Sequence, residues 1–504
     1  MLAVVKSTAL HGLEGQVVSV EVDVANGLPC FDLVGLPDAA VREARDRVRA
    51  AIRNSGFEYP LGRITVNLAP ADIRKEGPHY DLPIAAGILA ATGQIDPVPL
   101  QKYVLIGELS LNGDLRGVAG VLPNILAAVE RGLAEVVVPL ENAREAALVR
   151  GAKVYPVENL GQLAGFLSGK EEITPYGVDI EELMRGTGEA DPDLAEVKGH
   201  AAAKRALEVA AAGGHNVLLT GPPGSGKTML ARRLPGILPD LTFEEALEVT
   251  KIHSLAGLLA PGRPLVTRRP FRAPHHGTSA AAMVGGGRYP RPGEISLAHH
   301  GVLFLDEFPE FPKEVLESLR QPLEDGVITV SRVNAAVTYP AGFILIAAKN
   351  PCPCGYWGDP LKECTCTPLQ VQRYANRISG PLLDRIDLHL EVLRLDFREL
   401  DESPPGEPSR LIRQRVNKAR LVQRERFGRP ACNARMTPAE VRKYCPLTRD
   451  ARALLQTAFR QLGLSNRAHD RVLKVARTIA DLEGSAAIGT AHLAEAIQYR
   501  GMNL

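Results

Sequence analysis

Two α/β blocks followed by a helical region form the architecture that this 504-residue sequence predicts. Three observations carry that reading. Residues 1–168 alternate strand-like and helix-like runs. Residues 194–396 repeat the alternation around a glycine-rich loop set between an apolar strand and a helix. Residues 405–504 keep helical periodicity and lack strand-like alternation. The length points to two to four domains, and a hydrophobic fraction of 45% is ample for their cores.

The first block reads in order as a strand in "GQVVSVEVDVANG", a helix in "AAVREARDRVRAAIRNSG", a strand in "RITVNLAP" and a helix in "DLPIAAGILAATG". Strands in "YVLIGELSLNG", a helix in "LPNILAAVERG" and a strand in "EVVVP" follow. Residues 169–193 are polar and weakly periodic and read as a linker. Apolar runs such as "EVVVPL" and "FILIAA" are far too short to span a bilayer. The N-terminus has no charged segment followed by an apolar core and cleavage signal, so no secretory peptide is expected. Seven cysteines without a disulfide-framework spacing suggest a reducing cytosol. The net charge of +1 makes bulk attraction to a polyanion unavailable, so any nucleic-acid surface must be local.

In the second block, "NVLLTGPPGSGKTMLARRL" reads as strand, loop and helix. Gly221, Gly226, Lys227 and Thr228 fit G-x-x-x-x-G-K-[ST], with Pro222, Pro223, Gly224 and Ser225 between them. Such a loop curls backbone N–H groups around phosphates at a helix N-terminus. Lys227 is expected to reach the β- and γ-phosphates of ATP, and Thr228 to ligate Mg²⁺. "GVLFLDEF" is a buried-strand candidate ending in two acids. Strand C-termini are where α/β sheets place ligands, so Asp306 fits a magnesium ligand and Glu307 a group that activates the attacking water. "FILIAAKN" is a further apolar strand, whose Asn350 would hold that water from the other side. Arg385, in "GPLLDRIDLHL", fits an arginine supplied to a neighbouring subunit's γ-phosphate in a ring ATPase. A local ion pair with Asp384 or Asp387 is the plainer alternative.

These motifs in this order resemble an AAA+ ATPase. "TSAAAMVGGGRYPRPGEISLAHHGVLFLDEF" is similar to the branch with a helix-2 insert and a pre-sensor-1 hairpin, which holds the magnesium-chelatase motor subunit and the MCM helicases. "FRAPHHGTS", "NPCPCG" and "SGPLLDRIDLH" resemble the YifB/ComM family of magnesium-chelatase-like ATPases, and the similarity extends over essentially the whole chain. The resemblance implies a homo-hexameric motor that drives branch migration of DNA in recombination or natural transformation. It further implies Walker A at Lys227 and Thr228, Walker B at Asp306 and Glu307, sensor 1 at Asn350 and a trans finger at Arg385. Arg467 matches the sensor-2 arginine, with Arg471 as runner-up. "DGVITVSRVNAAVTYPAGF" alternates as a hairpin should, with its tip near residues 331–334. It aligns with the MCM hairpin that touches DNA in the ring pore and places Arg332 at the contacting position. An exposed turn arginine is the bland alternative. Residues 410–429 carry eight Lys/Arg and one acid, Glu425. That run reads as a DNA or neighbouring-subunit surface, or as a solvated helix.

"IGELSLNGDLRGVAGVLPNILAAVERG" resembles the Lon-type proteolytic domain, itself related to a ribosomal-protein S5-like fold. Lon proteases use a serine and a lysine; the matching positions here hold His79 and Leu122. Neither supplies a hydroxyl nucleophile or an amine base, so an inert scaffold or recognition surface is expected rather than an ATP-dependent protease. The rival from another class is an ATPase that remodels a protein partner without DNA.

Finally, "NPCPCGYWGDPLKECTC" places Cys352, Cys354, Cys364 and Cys366 in one short loop. Four thiolates there can wrap one tetrahedral Zn²⁺, although C-x-C is tighter than the common spacing. Free thiols or disulfides are the alternatives. Tyr356 and Trp357 at the expected tip suit either base stacking or packing on the ATPase core. Cys30, Cys432 and Cys445 are expected to be small buried hydrophobes.

Overall fold

The computed structural model describes residues 1–185, 191–260, 262–286, 291–332, 335–359, 361–396, 401, 404, 406–461 and 465–500, without the side chains of Arg332, Ala335 and Asn466. The chain forms two compact units. One comprises Met1–Gly186 with Phe243–Thr267, and the other comprises Thr187–Thr242 with Arg268–Leu504.

The first unit is built on a mixed seven-stranded sheet. Leu2–His11 and Glu14–Ala25 form a long antiparallel pair, and Arg63–Ala69 joins the latter antiparallel. Val104–Leu105, Glu135–Pro139 and Lys153–Val157 extend the other side in parallel. Alternation decides which faces are buried: Val18, Val20 and Val22 point inward, as do Ile64, Val66 and Leu68. Asp81–Ala91 is a helix buried along its whole length; it is apolar from Leu82 onward, and its buried Asp81 pairs with Arg47. Ala39–Asn54 is amphipathic; Asp38 caps it by accepting from Val41 N, and Val41, Val48 and Ile52 face the core. Helix Phe243–Leu255 completes this unit. Its Ser254 hydroxyl donates to buried Glu145 at 2.5 Å and accepts from Gly120 N at 3.1 Å.

At the positions matching the Lon dyad, His79 is buried with Nε2 2.9 Å from the Thr8 carbonyl oxygen. Burial holds its pKa below the usual histidine value. Leu122 is fully buried. Cys30 departs from the expectation of burial. It begins the edge strand Cys30–Val34, where one side of the strand has no neighbour, and it is exposed. Cys432 is half-buried and Cys445 is buried.

The second unit centres on a parallel sheet of Phe271–Arg272, Val302–Leu305, Ile344–Lys349, Val217–Thr220 and Leu388–Glu391, in that spatial order. The strand that is first in sequence therefore lies between the fourth and the fifth. The middle strands are apolar at nearly every position because both faces are covered. After helix Ala280–Val284, Gly285–Gly286 pairs with Arg291–Pro292 as a small insert; residues 287–290 lie outside the described residues. Val327–Arg332 and Ala335–Pro340 form an antiparallel hairpin with Arg332 opposite Ala335. The Arg332 side chain, and residues 333 and 334, lie outside the described residues.

The C-terminal part of this unit is helical, as its periodicity requires. Ser409–Phe427, Arg449–Gln461, Asn466–Leu482 and Thr490–Gln498 are its main helices. The basic run proves largely structural. Arg413 clamps the Gly236 carbonyl, Arg415 pairs with Glu208 and Glu407, and Arg420 donates to the Ala211 carbonyl. Arg426 pairs with Asp481 and Arg429 with Glu440, while Arg410, Lys418 and Arg424 are exposed. Most of these charges are thus held by partners within the chain, which neither a continuous DNA surface nor a plainly solvated helix describes. Among the described residues, no helix is long and apolar enough to cross a membrane.

Candidate nucleotide site and cysteine cluster

Three neighbouring parallel strands deliver the candidate site at their C-terminal ends, where the strand order reverses. Val217–Thr220 runs into the glycine-rich loop. A Cβ on Gly221 would lie 2.1 Å from the Val392 carbonyl oxygen, so glycine is required there. Gly224 and Gly226 have φ of 77° and 88°. Lys227 opens the following helix, and its ammonium is folded back onto the loop. It donates to the Gly221 and Pro222 carbonyls at 2.7 and 2.9 Å, and to Asn350 Oδ1 at 3.3 Å. Burial lowers its pKa, and Asp306 opposes that shift.

Val302–Leu305 ends at Asp306, which accepts from the Thr228 hydroxyl at 2.7 Å. A hydroxyl and a carboxylate so placed are the hard oxygen donors that Mg²⁺ takes, so the pair fits that cation. Glu307 has φ 52° and ψ 44°, a left-handed conformation uncommon for a non-glycine residue. Its carboxylate lies 2.9 Å from His276 Nδ1. Ile344–Lys349 lies between the other two strands, so Asn350 stands beside both motifs.

Arg385 follows the turn Gly380–Leu383 and belongs to a different cluster. It pairs with Glu324, not with Asp384 or Asp387, and donates to the Pro381 carbonyl at 2.8 Å. Its hydrogen bond, together with the nearby charges of Arg467 and Arg471, lowers the pKa of Glu324. Arg471 pairs with buried Asp387 and donates to the Arg385 carbonyl at 3.1 Å, while Arg467 is exposed. Among the described residues, no hydrogen bond or ion pair links Arg385 or Arg467 to Lys227, Thr228, Asp306 or Glu307.

A buried polar chain extends from this cluster. Asp387 accepts from His215 Nδ1 at 3.1 Å, and His215 Nε2 lies 2.8 Å from the Thr478 hydroxyl. Asn433 contacts that hydroxyl and Asp481, to which Arg426 and Arg477 are paired. His215 lies two residues before the strand that carries the P-loop.

The four cysteines of the 350–366 loop converge. Cys352 Sγ lies 3.3 Å from Cys354 Sγ and 3.6 Å from Cys364 Sγ, and Cys354 and Cys364 are 3.5 Å apart. Candidate ligand atoms of all four fall within 4.8 Å of one another, and none of the four is in a disulfide. A Zn–S tetrahedron with bonds of about 2.3 Å has edges of about 3.8 Å, close to these spacings. Backbone N–H groups of Tyr356 and Thr365 help bring the Cys354 pKa down to about 5. Burial and the neighbouring thiols push Cys364 the other way, up to about 12, so the four sulfurs do not share one thiolate character.

Three partners escaped the sequence reading. His276 sits in the quoted "FRAPHHGTS", after a strand beside Val302–Leu305; paired histidines at a strand end were the available signal. Arg394 donates to the Pro223 carbonyl at 2.8 Å, and Glu324 holds Arg385. Neither stands in a recognisable motif.

The comparisons with known proteins agree with this architecture. The model for magnesium chelatase subunit ChlI matches residues 193–400. A second, for subunit ChlI of Mg-chelatase, matches 20–142, and the ChlI C-terminal model matches 406–500. Over 504 residues the chain is 48% identical to competence protein ComM of Haemophilus influenzae, covering 99% of this chain and 98% of that protein. It is 47% identical to the uncharacterized protein YifB of Salmonella typhimurium, covering 100% and 97%. Over 175 residues, 32% of this chain and 21% of the relative, it is 25% identical to a Lon protease of Trichlorobacter lovleyi. Full-length identity of this order, with chelatase models matching three successive regions, shows that the chain belongs to the ComM/YifB-like, magnesium-chelatase family of AAA+ ATPases.

Proposed function

We propose that this ATPase is a Mg·ATP-driven ring motor that moves DNA, working as a homo-hexamer in the cytoplasm as a branch-migration or translocating helicase. The observation that carries the reading is the place of the Val327–Pro340 hairpin in the chain. It is bracketed by Val302–Leu305 and Ile344–Lys349, whose ends hold Asp306, Glu307 and Asn350. A change at the nucleotide can therefore be transmitted to Arg332 through either strand. Similarity to a competence protein supports DNA as the substrate.

In this mechanism Lys227 leaves the Gly221 and Pro222 carbonyls to meet the triphosphate. Thr228 and Asp306 would hold Mg²⁺, whose positive charge would offset that of the bound triphosphate. Glu307, released from His276, orients the attacking water together with Asn350. Arg385, released from Glu324, supplies positive charge to the site of the adjacent subunit, with Arg467 as the lid arginine. Arg332 touches backbone phosphates, a contact independent of sequence as translocation requires. Cys352, Cys354, Cys364 and Cys366 hold one structural Zn²⁺, a role that their convergence within 4.8 Å supports.

The test is ATP hydrolysis with and without single-stranded and forked DNA. DNA should stimulate turnover, and forked substrates should be processed. Turnover indifferent to every DNA structure would reject the DNA motor and favour a chelatase-like ATPase that remodels a protein partner.

A further inference from the structure

The cysteine loop does not stand apart from the nucleotide site. Gly355, between Cys354 and Tyr356, has φ 88°, and a Cβ there would lie 2.6 Å from Pro223 Cδ. The loop backbone thus rests directly on the P-loop. Arg394 joins the two from another side. It donates to the Pro223 carbonyl through Nη2 at 2.8 Å and Nε at 3.3 Å. Its guanidinium lies 5.5 Å from the centre of the Tyr356 ring, and its Nε is 3.9 Å from the buried Asp359 carboxylate. The Lys362 ammonium also sits against Tyr356, at 4.1 Å. Pro223 is therefore held by Gly355 and by an arginine that the same loop positions.

The loop's large apolar side chains, Trp357 and Leu361, are 49% and 72% exposed, so they contribute little burial. Four converging sulfurs supply the missing constraint if a cation joins them, because ligation energy becomes folding energy for such a segment.

Resting on the reading of the P-loop as an ATP site, we propose that Zn²⁺ bound by Cys352, Cys354, Cys364 and Cys366 clamps this loop onto Pro223, so that metal occupancy sets the affinity for a nucleoside triphosphate. Loss of the metal frees the loop, removes Gly355 from Pro223 and leaves Arg394 without Tyr356 and Asp359. The phosphate-binding backbone then has to be ordered by the nucleotide itself, which weakens binding.

Trp357 makes this measurable, because it is the single tryptophan of the chain and lies in the loop. Its emission, and its energy transfer to a mant-labelled ATP, report on loop and nucleotide without requiring turnover. The full chain is assayed for bound metal and titrated with mant-ATP in Mg²⁺. The titration is repeated after zinc extraction with the chelator removed and Mg²⁺ restored, and again after Zn²⁺ is added back. We expect one zinc per chain, an affinity loss of about tenfold on extraction, a shift in Trp357 emission, and recovery of both with Zn²⁺. Tyr356→Ala should keep its zinc yet bind mant-ATP more weakly, which separates coupling from misfolding. A parent without zinc overturns the proposal at its metal. A zinc-containing parent whose affinity changes by less than about twofold on extraction overturns the coupling alone. A parent that binds zinc but no nucleotide overturns the ATP-site reading, and the coupling with it.

Discussion

A residue that serves a neighbouring subunit must first let go of its own chain, and Arg385 is engaged by Glu324. The Glu324 side chain is 55% exposed, so water competes for it and the pair is worth about 0.2–1 kcal/mol rather than the several of a buried pair. If Arg385 surrenders this contact on the way to the transition state, the barrier carries that cost. Glu324→Ala should therefore raise turnover by about 1.4- to 5-fold. Arg385→Ala should instead lower it by about 10³-fold, the scale of a lost arginine finger. The assay is steady-state phosphate release, followed by mixing of Arg385→Ala with Lys227→Ala protein. Each is inactive alone, but mixed rings contain interfaces with an intact Lys227 facing an intact Arg385, and activity should partly return. Parental turnover in Arg385→Ala, or no recovery in mixtures verified to co-assemble, refutes the trans role.

Lys227→Ala and Glu307→Gln should each abolish hydrolysis, whereas Glu307→Gln should still retain ATP in a filter-binding assay; normal turnover in Glu307→Gln removes its assigned role. Asp387→Ala leaves Arg471 and His215 without their shared buried acceptor and should cost about 3–5 kcal/mol of stability in denaturant unfolding, so a change below about 1 kcal/mol contradicts the buried network. Burial pushes the Asp387 pKa up, but Arg471 and His215 outweigh it and hold the group below its ordinary 3.8. Its stabilising contribution is therefore fully present above about pH 4 and is lost as pH falls through the lower folded value, so Asp387→Ala should flatten the acid limb of the unfolding profile. Arg332→Ala should spare basal ATPase, abolish DNA stimulation and make DNA binding less steeply dependent on salt; branched DNA moved at the parental rate refutes the pore role.

The sequence was legible where the chemistry is local. The loop from Gly221 to Thr228 is one uninterrupted segment, and the acids at 306 and 307 close an apolar run, so spacing alone brings the right groups near each other. Strand order follows less directly, yet the alternation of apolar strands and helices was enough for the α/β class and its helical end. Long-range polar partners were not legible. Arg394 lies 171 residues from Pro223, and His215 lies 172 from Asp387; nothing in either neighbourhood marks the pairing. The basic run misled for a related reason. Charge counted along a helix does not reveal that Arg415, Arg420 and Arg426 reach acids and carbonyls supplied by other elements. Cys30 was expected to be buried because a lone cysteine behaves as a small hydrophobe, but burial depends on tertiary position, and this residue begins an edge strand.

The composition of the first unit from two separate stretches of chain limits how this protein can be cut or recombined. Expression of residues 1–186 alone omits Phe243–Thr267 and leaves Glu145 and the Gly120 amide without Ser254. A fragment ended there would also lose the helix whose Ala246, Val249 and Ile252 are buried, and should be insoluble or loosely packed. For the same reason, exchange of this unit between relatives needs two coordinated segments, and a hybrid made with a single crossover inherits a mismatched interior.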